Sequence, residues 1–166
     1  MVDIALAKQH LEYDDTDRDA LIGQYIAAAA AWVEGYTGLL LTRRAVTRRF
    51  ASAAAYVDLH VGPAPVIDSI TYQDSDLVET TIADTEYTLV DGRLYPASAW
   101  PYARYGLVAT ITAGFEDGVP ADLISAQLLL IGHMFANRET VITGTIATAL
   151  PLGVEALCQP HRLVLV

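Results

Sequence analysis

The sequence predicts an α+β fold with a helical core, an inserted small and mostly antiparallel β-sheet, and an extended C-terminal tail. Two stretches, a long one in the N-terminal half and an apolar one in the C-terminal half, repeat apolar residues at the helical period. Between them, residues 42–113 form short runs of β-branched and aromatic residues separated by Gly, Pro and Asp. We expect a core over residues 1–139 and an arm with a tail over residues 140–166.

Two helices are predicted before the β-rich insertion, over residues 4–12 and 17–37. Thr16 with Asp19 three residues later has the pattern of a capping box, which would open the second helix. Gly38 follows the last apolar position of that helix, where a left-handed C-cap favours glycine. The second helix is therefore expected to have a defined start and a defined end.

The insertion contains five runs in which β-type residues recur with a period near two. They read AVTRRF, AYVDLHV, VIDSITYQD, EYTLVDGRLYP and LVATITAG. In the fourth run, Asp91-Gly92 separates YTLV from RLYP, and this dipeptide between two short strands indicates a β-hairpin.

A third long helix is predicted over residues 120–137, with Pro120 at its first position. Apolar residues cover nearly every side of it, which is typical of a helix at the centre of a core. The segment TVITGTIATAL at 140–150 has no helical stripe and is a candidate arm that orders only in an assembled particle. A short helix pattern, PLGVEALCQP, precedes the final RLVLV.

Composition favours a protein that assembles. The hydrophobic fraction of 53% is slightly high and the charged fraction of 18% is low, which leaves apolar surface for partners. A net charge of -10 disfavours general affinity for nucleic acid or anionic membranes. No apolar stretch reaches the length of a membrane span, and no signal peptide pattern opens the chain. The single cysteine, Cys158, excludes an internal disulfide and multi-cysteine zinc motifs.

The acidic segment DDTDRD places Asp15, Asp17 and Asp19 at the spacing of the first three ligands of a calcium loop. Ala20 stands where that loop needs Gly, and Ile26 stands where it needs Glu. We therefore interpret these carboxylates as first-turn acids that interact with the helix dipole, and we expect neither a metal nor a cofactor.

His133 lies on the apolar helix, one turn before Asn137. An acid-base pair is one interpretation, but no nucleophile or metal ligand stands at motif spacing. We favour a packed histidine whose ring nitrogen bonds a carbonyl or Asn137. Asn137 and Arg138 then either satisfy the last carbonyls of the helix or reach another chain. No enzyme motif is found elsewhere, so catalysis is not predicted.

The segment TRRAVTRRF holds four of the ten basic residues, Arg43, Arg44, Arg48 and Arg49. In an extended strand the two pairs project onto both faces, so they do not form one phosphate-reading stripe. Three interpretations remain open: a solvated strand, pairing with acids of a neighbouring subunit such as those of DDTDRD, and contact with DNA phosphates.

Four pieces, taken in order over nearly the whole chain, resemble the head-tail connector (adaptor) proteins of long-tailed bacteriophages and of phage-derived gene transfer agents. They read ALAKQHLEYDDTDRDALIGQYIAAAAAWVEGYTG, PAPVIDSITYQD, VATITAGFEDGVPADLISAQLLLIGHMFANRE and LPLGVEALCQPHR. The resemblance implies a structural subunit, not an enzyme, that forms a dodecameric ring beneath the portal protein in the neck of a virion or gene transfer particle. Assembly would take place in the bacterial host cytoplasm.

The resemblance also implies partners and surfaces. Besides other copies of itself, the subunit would bind the portal and the next tail-proximal neck or stopper protein, and DNA would slide through the channel without specific binding. We expect a subunit interface at Arg43, Arg44, Arg48, Arg49, Trp32, Tyr36, Asn137 and Arg138. We expect portal docking by Arg162, Leu163, Val164, Leu165 and Val166, as an added strand.

Alternatives remain at this stage. The last residues could instead form a terminal strand that closes the protein's own sheet. The chain could also be a different neck or tail-completion (stopper) subunit, a phage enzyme, or a DNA-packaging accessory factor.

Overall fold

The computed structural model describes residues 1–51, 55–137 and 152–163, which form two compact units. The helical unit contains residues 1–41 and the described residues from 117 onward, and the β unit contains Thr42–Glu116. The predicted α+β class is confirmed. The candidate arm at 140–150 and the last residues of the tail, 164–166, lie outside the described residues.

The helical unit is built around one apolar helix. Its elements are α1 (Ile4–His10), α2 (Asp19–Thr37), α3 (Ala121–Ala136), α4 (Leu152–Cys158) and a following 3-10 turn (Gln159–His161). α3 packs against α1, α2 and α4, as its apolar pattern on nearly every side predicts. The fully buried side chains include Ile22, Val33, Leu123, Ile131 and Val154.

Two predicted helix starts and ends differ from the structure. α1 ends two residues early because Glu12 takes a left-handed backbone angle, φ 51°. α2 begins at Asp19, two residues later than predicted, and the capping box is wrong: its N-cap is Arg18, which makes no side-chain cap bond. The carboxylate of Asp19 instead binds the ammonium of Lys8 at 2.9 Å. The carbonyl of Thr16 accepts the N–H of Asp19 at 3.2 Å, which forms a turn before the helix.

The other ends agree closely with expectation. Gly38 is the left-handed C-cap of α2, with φ 76°, and its N–H donates to the carbonyl of Glu34 at 2.8 Å. Pro120 precedes α3 as its N-cap with an extended ψ of 145°, so the helix begins one residue later than predicted. Asn137 is the C-cap of α3.

Within its described residues the β unit has seven strands in two antiparallel sheets, where the sequence predicted one sheet. The strands are β1 (Arg44–Phe50), β2 (Val57–Asp58), β3 (Val66–Gln73), β4 (Glu79–Thr81), β5 (Tyr87–Val90), β6 (Arg93–Pro96) and β7 (Leu107–Ala113). The larger sheet has the order β1-β7-β3-β4 and the smaller one the order β2-β6-β5.

Strand β7 is central in the larger sheet and shows the clearest alternation. Leu107, Ala109, Ile111 and Ala113 are buried, and the residues between them are half-buried. The predicted hairpin joins β5 to β6, with Asp91 at φ 50° and Gly92 at φ 76°. A two-residue type I′ hairpin turn requires positive φ angles at both central residues, so the Asp-Gly prediction is confirmed.

Candidate assembly surfaces

The C-terminal segment is held at the end of α2. The backbone N–H of Leu163 donates to the carbonyl of Thr37 at 2.8 Å. Two side-chain carbons of Leu163 lie 3.4 Å from the position that a Cβ on Gly38 would occupy. Because the C-cap residue is a glycine, the leucine side chain can lie directly over the end of the helix.

Aromatic side chains of α2 extend this contact. The Tyr36 hydroxyl donates to Oε1 of Gln159 at 2.8 Å, and the guanidinium of Arg162 lies 5.6 Å from the Tyr36 ring centroid. The Trp32 ring stacks on Tyr36 with centroids 5.1 Å apart and an interplanar angle of 11°. Tyr36, expected at the subunit interface together with Trp32, thus lies beside Arg162 of the expected docking tail. The sequence analysis did not predict this proximity.

We call the cluster of Tyr36, Thr37, Gly38, Arg162 and Leu163 the tail anchor. Trp32 and Tyr36 are half-buried, whereas the core face of α2 is made by other residues of that helix. The expected docking residues Val164, Leu165 and Val166 lie outside the described residues. The anchor therefore fixes Leu163, the last residue that the structure describes, against the end of α2.

A second contact ties the same turn to α3. Nε2 of His161 lies 2.5 Å from Oδ2 of Asp122, in the first turn of α3. The hydrogen bond from His161 holds the pKa of Asp122 below its ordinary value. Cys158, just before this turn, is buried, and the loss of hydration on burial raises the pKa of its thiol. That environment is the opposite of the one that activates a nucleophilic cysteine.

The arginines of β1 divide between two faces, as predicted. In the register with β7, Arg44 lies opposite Ala113 and Arg48 opposite Ala109, on the face of the buried β7 residues. Arg49 lies opposite Val108 and belongs to the other face. Arg43, just before the strand, forms an ion pair with Glu116 at 2.8 Å.

Arg49 contacts a loop that the sequence analysis did not single out. Its guanidinium donates to the carbonyl of Tyr105 at 2.8 Å, and the guanidinium of Arg104 lies 5.9 Å from the Tyr105 ring centroid. Tyr102 is 81% exposed and Tyr105 is 49% exposed. The five-residue segment YARYG contains two tyrosines and one arginine, and this composition was the available signal.

The turn that carries these side chains is tightly defined. The N–H of Gly106 donates to the carbonyl of Ala103 at 3.0 Å. Gly106 has φ 79°, and a Cβ there would come within 2.2 Å of the carbonyl oxygen of Phe50. Only glycine permits this close approach of the turn to β1.

The acidic segment before α2 is only partly neutralised by its own chain. Asp19 is paired with Lys8, and Asp17 lies 3.9 Å from Arg18 and accepts the Tyr13 hydroxyl. That hydrogen bond raises the pKa of Tyr13. No group of three or more His, Cys, Asp or Glu side chains within the described ranges is arranged to hold a metal ion.

Asn137 caps its own helix. Its Nδ2 donates to the carbonyl of His133 at 2.9 Å and lies 3.4 Å from Nδ1 of that histidine. His133 is half-buried, and no carboxylate or nucleophile among the described residues forms a hydrogen bond or ion pair with its ring. This geometry is that of a packed histidine beside a helix cap. Arg138 lies outside the described residues.

Comparison with known proteins gives consistent similarities. Residues 1–80 match the family model described as phage gp6-like head-tail connector protein. A chain in the neck of an empty GTA particle, computed with C6 symmetry, is 26% identical with a TM-score of 0.80, covering 99% of this chain and 91% of that one. A chain in the neck of a native GTA particle, computed with C12 symmetry, is 27% identical with a TM-score of 0.78, covering 98% and 89%.

A chain in the virion of a native gene transfer agent (GTA) particle is 26% identical, with a TM-score of 0.80, and covers 99% of this chain and 91% of that one. The comparison with curated proteins gives no match. Among the helices that the structure describes, none is long and apolar enough to cross a membrane. Because these matches cover 98% or 99% of this chain, the similarity extends over both the helical and the β unit.

Proposed function

We propose that this chain is a member of the phage head-tail connector family, a structural neck subunit that joins the head of a phage or gene transfer particle to its tail. The observation that carries this proposal is the match to a neck protein over 99% of the chain, with a TM-score of 0.80 and 26% identity. A match restricted to one unit would have supported only a shared fold. Here both units have their counterparts in one neck chain.

The subunit acts as one member of a closed ring beneath the portal protein, and we assign it twelve copies. The related neck structures were computed with C6 and C12 symmetry, and a sixfold or twelvefold arrangement accommodates a dodecamer. The high hydrophobic fraction of 53% supplies the apolar surface that repeated subunit contacts bury. The next tail-proximal neck or stopper protein binds the opposite side of the ring from the portal.

DNA passes through the ring without being held. A net charge of -10 per chain repels the phosphate backbone at long range, so the wall of the channel does not retain the duplex. The ring therefore prolongs the portal channel as a passive conduit. The phage or gene transfer particle is where the protein acts, and assembly takes place in the host cytoplasm.

Portal docking is assigned to residues 162–166. The tail anchor fixes Leu163, the residue immediately before the last three, against the end of α2. Their sequence, Val-Leu-Val, is apolar and its two valines are β-branched, which suits strand addition to an exposed sheet edge of the portal. Backbone hydrogen bonds supply affinity in that mode, and alternate side chains supply specificity.

The proposal includes no catalytic step. Cys158 is buried with a raised thiol pKa, and the ring of His133 is engaged only by Asn137 among the contacts recorded within the described residues. A nucleophile needs an accessible, activated group with a base in reach. We therefore assign Cys158 to the core of the helical unit and His133 to the end of α3.

Portal binding by truncated proteins tests the docking assignment. Deleting residues 164–166 leaves Arg162 and Leu163 in the tail anchor, so we expect an unchanged thermal midpoint and loss of co-sedimentation with a candidate portal protein. Glu155→Ala, an exposed position on α4, serves as the control and should bind the portal normally. Intact portal binding with a lowered midpoint would instead favour a terminal strand that closes the protein's own fold.

A further inference from the structure

We propose that a recess formed by Arg49, Arg104 and Tyr105 binds the acidic turn around Asp14 and Asp15 of the adjacent subunit, a contact that rests on the ring proposed above. We call this recess the Arg-Tyr recess. It is distinct from the tail anchor, lies in the β unit, and gives the proposed ring a specific subunit-to-subunit contact.

The recess has the form of a binding site. It is an open concavity of about 500 Å³ at the end of β1, and its lining includes the three named residues and Gly106. Arg49 is held by the carbonyl of Tyr105, and the hydrogen bond of the turn holds Tyr105 itself. The side chains are therefore positioned before any partner arrives, which lowers the entropy cost of binding.

Residue types at the recess are those that dominate protein interfaces. Tyr and Arg are enriched among residues that contribute most to binding, because they supply large rigid contact area and several hydrogen bonds. Tyr105 is 49% exposed, and Tyr102 in the same loop is 81% exposed. Exposed aromatic surface of this size loses its contact with water when a partner covers it.

The charge of the recess specifies an acidic partner. Half of the ten basic residues of the chain lie in or beside β1 and in this loop: Arg43, Arg44, Arg48, Arg49 and Arg104. None of the described residues that line the Arg-Tyr recess carries a carboxylate. Two guanidinium groups in one concavity bind carboxylates with charge-assisted, directional hydrogen bonds.

A second copy of the chain offers a matching segment. Residues 12–19 contain five acids and one arginine. Asp14 and Asp15 are exposed, and no ion pair or hydrogen bond of either is recorded within the described ranges. Each subunit of a ring can therefore supply an acidic turn to one neighbour and a basic recess to the other, the head-to-tail arrangement that closes a ring.

DNA phosphate is the less favoured occupant. The β1 arginines are divided between the two faces of the strand, so they do not follow a phosphate backbone. A chain of net charge -10 also repels duplex DNA before any local contact forms. The exposed tyrosines of this loop also favour a protein partner, because tyrosine is enriched in the buried part of protein interfaces.

Charge reversal in the full chain tests this inference. Arg104→Glu should raise the concentration for half-maximal ring formation by about fivefold or more per contact. That concentration is measured by sedimentation velocity, both for the subunit by itself and for the subunit mixed with a candidate portal protein. Asp15→Arg should have the same effect. The double variant Arg104→Glu with Asp15→Arg should restore assembly, because each interface again joins opposite charges. Thr88→Glu, at an exposed position on β5 outside the expected subunit interface, is the control and should assemble like the wild type.

The outcomes separate this inference from the function on which it rests. If the wild-type protein forms no ring, either by itself or on the portal, both the neck-subunit function and the recess contact are contradicted. Three results would contradict the recess alone: normal rings from Arg104→Glu, a Thr88→Glu defect of equal size, or a double variant without rescue. Unchanged assembly with weakened retention of a duplex DNA fragment would also overturn it, in favour of phosphate contact.

Discussion

The backbone N–H of Leu163 donates a hydrogen bond to the carbonyl of Thr37, with N and O 2.8 Å apart. This bond joins the C-terminal segment to the end of α2, which lies far earlier in the sequence. The last carbonyls of a helix need partners outside the helix, and here the tail supplies one. The end of α2 and the start of the tail are therefore stabilised together.

Gly38→Ala should destabilise the helical unit. An alanine at φ 76° carries the cost of a left-handed backbone, about 1–2 kcal/mol, and its Cβ would contact the Leu163 side chain at 3.4 Å. Gly35→Ala is the matched control, since Gly35 is inside α2 with no atom within 4 Å, and it should stabilise by about 0.5–1 kcal/mol. Urea unfolding of both variants checks the prediction. Shifts in the same direction would contradict it.

Gly106→Ala should destabilise the β unit more than Gly92→Ala. Both residues have positive φ angles, 79° and 76°, so both substitutions carry a similar backbone cost of about 1–2 kcal/mol. Only at Gly106 would the new Cβ meet a backbone oxygen, that of Phe50 at 2.2 Å. The extra overpacking cost is about 1–3 kcal/mol, measurable as the difference between the two free energies of unfolding. Equal losses would show that the turn relaxes freely away from β1.

The Asp122–His161 contact should stabilise the protein only above the pH at which Asp122 is protonated. The lowered pKa of Asp122 means that the folded state favours its ionised form, so the stabilisation is present above the ordinary value of 3.8 and is lost as pH falls below it. Asp122→Asn should therefore lower the free energy of unfolding at neutral pH. The difference from the wild type should shrink as the pH falls below 3.8. Glu155→Gln should differ little from wild type at any pH, and a constant difference for Asp122→Asn would contradict the assignment.

Cys158 should react slowly with iodoacetamide in the native protein. Its side chain is fully buried, and its thiol pKa is raised, so both access and thiolate fraction are low. In urea the same thiol should react at the rate of a free cysteine. Thr88→Cys, at an exposed position on β5, adds a fast-reacting thiol as an internal standard. Equal native and unfolded rates for Cys158 would contradict its place in the core.

Elements with a strong local signal could be predicted from the sequence. The apolar period gave α2 and α3, and Asp91-Gly92 gave the β5–β6 hairpin, because both signals depend on neighbouring residues only. Gly38 as a left-handed C-cap belongs to the same class. The division of the β1 arginines between two faces follows from the two-residue period of a strand.

Features that depend on distant partners could not be predicted. The capping box failed because Lys8, eleven positions earlier, takes the carboxylate of Asp19. Strand β4 has only three residues and is defined by its pairing with β3, so no local pattern identifies it. The tail anchor and the Arg-Tyr recess join segments far apart in sequence, and the composition of YARYG indicated the recess only weakly.

Negative-stain electron microscopy of the full-length protein, alone and mixed with a candidate portal protein, tests the central proposal most directly. The neck-subunit function predicts closed rings of about twelve copies, either free in solution or formed only on the portal. Class averages that show the ring stacked coaxially on the portal would match the proposed place of the subunit. A compact monomer under both conditions, at concentrations where the portal itself is assembled, would contradict it.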